Sequence, residues 1–281
     1  FYIVYNIAMR RFAEWVIEDI SKWLLVEAPP KRAYLSDYAS VCKELLPCDI
    51  LLIEGRSRAS LIIKHVTQSP WSHAALYIGT LDDIKDTEYR SRVARLGNLP
   101  ADTQLLIESE IGLGTVVSPL AKYKLDHVRI LRPRGLNKVA AQKIIYFAID
   151  RIGRKYDIQH LLDLARFLFP WGLFPRKWRS SLFQHNALQP TKDICSSMIA
   201  SAFQSVNYPI LPIIRKNEKA ELELIERNYN LYTPSDFDYS PFFDIVKYPI
   251  VPLDAQGEYK NLNWNFSINS DDAGDLDQPV E

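Results

Sequence analysis

With 281 residues, 47% of them hydrophobic and 24% charged, the chain is long enough to bury one large core and too apolar for intrinsic disorder. Its 34 basic residues are balanced by 34 acidic ones, which removes the basic excess expected of a nucleic-acid binder. Three cysteines are too few for a disulfide framework; Cys42 and Cys48 are the pair that could close, and the plainer reading is three free thiols in a reducing compartment.

Residues 1–26 read as a helix with Phe12, Trp15, Val16, Ile20, Trp23 and Leu24 on one stripe, stopped by Pro29-Pro30. The uncharged residues 1–9 are too few to span a bilayer. Followed by Arg10-Arg11, they are either the trailing end of a truncated hydrophobic segment or part of an amphipathic helix docked on the domain; a cytoplasmic or membrane-peripheral location suits both. A second short helix is expected from Leu35 to Leu46. Cys48 to Gly55 is an apolar run closed by a turn and reads as a buried strand. Ser60 to Val66 is a helical turn. Ser72 to Gly79 is a strand with His73, Ala75 and Tyr77 on one face. Residues 81–103 read as an exposed charged excursion, and Gln104 to Ser109 as a strand that places Leu106 and Glu108 on a shared face.

Thr115 to Leu120 and Val128 to Arg132 are further strands. Asn137 caps a helix that ends at Gly153. Residues 158–183 are aromatic and apolar. Asp193 reads as the N-cap of a helix with Ile194, Met198, Ile199, Ala202 and Phe203 on one face. A charged helix is expected around 216–227, a loop over 233–243, a last strand from Phe243 to Ile250, and an acidic tail over the final residues.

Cys195 falls in the first turn of its helix, where free N–H groups and the helix dipole favour an anion and ease ionisation of a thiol. A thiolate needs a proton partner, and His73 is the best candidate. Glu108, ending an apolar strand, is costly to bury unpaired and could hold the imidazole in one tautomer. Glu110 competes for that role but lies nearer the turn, where solvation is expected. Read singly, Cys195 and His73 also fit inert core positions. No close His or Cys pairing suggests a metal, no cofactor motif is present, and no Gly-x-Ser-x-Gly elbow suggests a serine hydrolase.

Candidate substrate contacts are Tyr77, Tyr156, Trp171 and Phe174. The last two belong to 165–179, where aromatic rings alternate with Arg166, Arg176, Lys177 and Arg179. Such a stretch suits a membrane surface or an acyl-chain groove, or else packs the core.

Several motifs then fall in order: Pro47-Cys48-Asp49-Ile50, Ser72-His73-Ala74-Ala75-Leu76-Tyr77-Ile78-Gly79, Leu106-Ile107-Glu108-Ser109, Gly153-Arg154-Lys155-Tyr156-Asp157, Ile194-Cys195-Ser196-Ser197-Met198 and Pro234-Ser235-Asp236-Phe237. Together they resemble the permuted papain-like amidases of the YaeF/YiiX group, a circularly permuted branch of the NlpC-type cysteine peptidases. The resemblance implies an α+β, circularly permuted papain-like fold with an antiparallel sheet packed against helices. It spans about residues 46–250, leaving 1–45 as an N-terminal helical extension and 251–281 as a C-terminal acidic tail. It also implies Cys195 as nucleophile, His73 as base and Glu108 as orienting acid, hydrolysing an amide or ester in a peptide, cell-wall or lipid substrate. A thioester-forming acyltransferase and a non-catalytic binding module of the same shape are the alternatives. The chain departs from the pattern at Cys48, where Gly is usual before Asp49, and at Ser196-Ser197, where a Ser-Glu pair is common.

Overall fold

The apolar runs Ile50–Glu54, His73–Gly79 and Leu105–Glu110 carry almost no polar side, as strands covered on both faces must. In the computed structural model, which describes residues 22–29, 36–97, 99–156, 192–193, 195–216, 221–247 and 258–262, these runs are β1, β2 and β3 of one antiparallel sheet. With β4 (Gly114–Pro119), β5 (His127–Pro133) and β10 (Phe243–Val246), the sheet runs β10-β5-β1-β2-β3-β4. Mixed helix and antiparallel sheet make an α+β architecture, as expected.

Helices cover both faces. On one, α4 (Lys138–Ile149) and α5 (Cys195–Gln204) set Ile145, Ile149, Ile199 and Phe203 in the same buried cluster as Ile50 and Leu76 of the sheet. On the other, α1 (Tyr38–Glu44) and the residue after it bring Val41 and Leu45 against Leu51, Ile53, Leu106 and Ile130. Capping explains where these helices start. The Asp37 side chain accepts from the N–H groups of Ala39 and Ser40, and that of Asn137 from Ala140. Cys48 packs with the first cluster and Cys42 against the second, so the sheet lies between two thiols that are both free.

Several expectations are corrected. The turn at Ser60 to Val66 is a full helix, α2 (Arg58–Thr67), capped by Ser57. The excursion over 81–103 holds α3 (Thr87–Gly97), whose charged surface hides one buried position, Val93. The charged helix around 216–227 is instead the antiparallel pair β8 (Ile213–Lys216) and β9 (Leu222–Ile225); Leu222 and Leu224 alternate with Glu221 and Glu223 at period two. The loop at 233–243 contains α6 (Pro234–Tyr239), started by a Thr233/Asp236 capping box with Pro at its first turn. Trp23, placed on the apolar stripe, is 55% exposed beneath Arg58, while Leu24 is buried. Most of the first helix, the aromatic stretch 158–183 and the acidic tail lie outside the described residues. The chain divides into two units between Tyr248 and Pro249, the second described at a 3-10 turn, Glu258–Asn261, and the residue after it.

Candidate active site

Strand alternation and register bring the first two candidates together. Tyr77 of β2 is paired with Leu106 of β3, and period two then puts His73 and Glu108 on that same face. His73 Nε2 and Glu108 Oε2 lie 2.6 Å apart. The Glu108 carboxylate is fully buried, so its remaining lone pairs need donors. They come from the 3-10 turn Leu120–Tyr123 that follows β4. Lys122 Nζ donates to Oε1 at 2.9 Å, and the Tyr123 hydroxyl donates to Oε2. Lys122 also reaches Glu110 Oε1 at 2.7 Å.

The third candidate arrives on α5. Cys195 is its first residue, where the backbone N–H groups have no helical acceptor. Asp193 lies one residue farther back than a cap would, within β7 (Lys192–Asp193), which pairs in parallel with β6 (Lys155–Tyr156). The Cys195 thiol and the His73 ring act on each other's ionisation, and the backbone N–H groups of Ala74 and Ser196 favour the charged sulfur. With Nε2 engaged by Glu108, Nδ1 is the ring nitrogen left for sulfur. Cys195 is buried, at 4% exposed, while 19% of the His73 side chain is exposed, so the imidazole is the more open of the two.

The electrostatics follow from these contacts. Burial alone would push the Cys195 thiol up, but the His73 charge and hydrogen bond outweigh it and hold the thiol below its ordinary value. Burial alone would push His73 down; the attractions of Cys195 and then Glu108 win and raise it to about 10. Burial opposes the charged form of Glu108 too, yet His73 and Lys122 hold its carboxyl below the usual range. Tyr123 is pushed well above the phenol value by burial and by Glu108, so it is a neutral donor. The arrangement therefore favours a thiolate–imidazolium pair beside a carboxylate and an ammonium.

Tyr77 is 3% exposed in the cluster under α1, a core position. The backbone of Tyr156 pairs with Asp193; its side chain, and Trp171 and Phe174, lie outside the described residues. Lys122 and Tyr123 were missed by sequence reasoning, although an acid ending an apolar strand implies a donor somewhere. Two supports surround the trio. Ser196 Oγ donates to the Tyr232 carbonyl at 2.5 Å, and Trp71, buried just before β2, donates to Asp238 at 3.1 Å under the Arg129 guanidinium. Among the described residues, no group of three or more His, Cys, Asp or Glu side chains gathers as a metal set.

No family model matches the chain, and no curated protein does. Among solved structures, the crystal structure of metalloprotein yiiX from Escherichia coli O157:H7 is similar at a TM-score of 0.42 and 15% identity, over 72% of this chain and 96% of that one. No helix among the described residues is long and apolar enough to cross a membrane.

Proposed function

We propose that the protein is a cysteine hydrolase that cleaves an amide or ester bond through a thioester on Cys195. One arrangement carries the reading: the imidazole of His73 bonds a buried carboxylate and is coupled in its ionisation to a thiol at a helix start. An inert core cysteine has no use for such a partner, because burial in apolar surroundings raises a thiol and suppresses its reactivity.

The steps balance as ordinary acyl transfer. The Cys195 thiolate attacks the acyl carbon, and the oxyanion faces the free N–H at the helix start. His73 gives its proton to the leaving amine or alcohol. It then takes a proton from water, whose oxygen attacks the thioester and releases acid and thiolate. Glu108 stays ionised, holds the Nε2 proton and offsets the imidazolium charge. An acyltransferase would share the first half and differ in the acceptor.

Mass spectrometry tests the proposal. The protein is mixed with a panel of peptide, cell-wall and lipid amides and matching esters, quenched in acid, and mapped. An acyl mass on the Cys195 peptide with product release supports it. Product formation that survives Cys195→Ala overturns it.

A further inference from the structure

Resting on the hydrolase reading, we infer that Lys122 and Tyr123 are positioning residues that act through Glu108 to set the charge balance of the His73–Cys195 pair. Their place in the fold is the first argument. Both sit on the 3-10 turn after β4, outside the strands that carry His73 and Glu108, and both aim their polar atoms at one fully buried carboxylate. Each Glu108 oxygen is thereby assigned: Oε1 to Lys122 at 2.9 Å, Oε2 to His73 at 2.6 Å and to the Tyr123 hydroxyl. A carboxylate so pinned cannot rotate away from the imidazole. The Tyr123 ring also lies 6.1 Å from the His73 ring, tilted against it.

The charge argument is independent. Among the described residues, the titratable groups that act on the pair are Glu108 and Glu110 on β3, and Lys122 and Tyr123 on the turn, beside His73 on β2 and Cys195 on α5. Among the described residues, Lys122 bridges both acids, 2.9 Å from Glu108 and 2.7 Å from Glu110, and its side chain is 35% exposed. With it, the field of two carboxylates on the imidazole is partly cancelled. Without it, His73 would hold its proton more tightly and the thiolate would be less favoured, so both ionisations would move to higher pH. Tyr123 is neutral, and its loss removes a hydrogen bond while leaving net charge unchanged.

Alkylation tests this without a known substrate. The rate of iodoacetamide labelling at Cys195, resolved from Cys42 and Cys48 by peptide mass, is followed against pH with circular dichroism on every variant. Wild type should show a midpoint well below a free thiol. Lys122→Met and Lys122→Gln should raise it by about one pH unit. Lys122→Arg should keep it near wild type, and Tyr123→Phe should raise it by less. Folded Lys122→Met and Lys122→Gln proteins with the wild-type midpoint would overturn the inference and leave the hydrolase reading standing. Unfolding of both would make Lys122 a structural residue, which also overturns it. A wild-type midpoint at the free-thiol value would instead overturn the hydrolase reading, and this one with it.

Discussion

The His73 imidazole and the Glu108 carboxylate meet at 2.6 Å across neighbouring strands, with the acid fully buried and the ring partly open. That asymmetry leaves one ring nitrogen for chemistry and one for orientation. If the trio acts as a unit, Cys195→Ala and His73→Ala should each lower turnover about ten-thousand-fold, and the double variant should be no worse than either. Glu108→Gln should cost about a thousand-fold, since the amide can present the wrong partner to Nε2. Steady-state kinetics on the substrate found by acyl trapping, with circular dichroism as the folding control, checks all four proteins. Additive losses in the double variant would count against a shared mechanism.

Glu108 also ties stability to pH. Its carboxyl is held below the ordinary value of 4.5 in the folded chain, so folding favours the ionised form. The associated stability is present above pH 4.5 and is lost as pH falls through the folded value. Glu108→Gln should therefore be less stable than wild type by about 2 kcal/mol near neutrality. The gap should narrow as pH falls toward 3, about a unit below the free carboxyl, where part of the stabilisation is already lost. Urea midpoints at both pH values measure it; a gap that is constant with pH would contradict the charged state assigned to Glu108.

Buried Asp49 and half-buried Arg132 form another ion pair. Arg132 grips both carboxylate oxygens at 3.1 and 2.8 Å, and Leu46 N–H adds a third donor at 2.8 Å. Burial nonetheless pushes the Asp49 carboxyl above its ordinary value. Arg132→Ala should cost about 2 kcal/mol of stability at neutral pH, and less in acid, where Asp49 is protonated both folded and unfolded. The Cys195 alkylation profile should not change. Thermal melts at two pH values with parallel labelling test both halves.

Cys48 adopts φ +77°, the left-handed region that favours glycine, at the position where the resembled family usually has Gly. Its side chain compensates: it is fully buried and donates to the Ala141 carbonyl at 3.1 Å, and burial pushes the thiol up, out of reactive range. Ala removes that compensation and keeps the strain; Gly removes both. Cys48→Gly should then be more stable than Cys48→Ala by about 1 kcal/mol. Denaturant melts of the two variants decide it, and the reverse order would mean the backbone there is unstrained.

His73 and Glu108 were legible because period two and flanking turns put them at known places on apolar strands. Cys195 was legible because a helix start is written in the spacing of Met198, Ile199, Ala202 and Phe203. Lys122 and Tyr123 were not: a four-residue 3-10 turn has no periodicity, and their partner is reached only after two strands pair. The β8–β9 pair was misread because Glu and Lys carry helix propensity, whereas alternation is confined to the four residues of β9 and absent from Ile-Ile-Arg-Lys of β8. The helix α3 was hidden for the same reason in reverse, since Val93 is its one buried apolar position.

The parallel rungs Lys155–Lys192 and Tyr156–Asp193 tie together the two ends of everything encoded between them, immediately ahead of the nucleophile. The two strands that flank 157–191 are therefore held side by side, with the second leading into the helix that begins at Cys195. The approach to Cys195 is thus fixed by hydrogen bonds made about 40 positions upstream, a lock of main chain to main chain that no side-chain substitution removes outright.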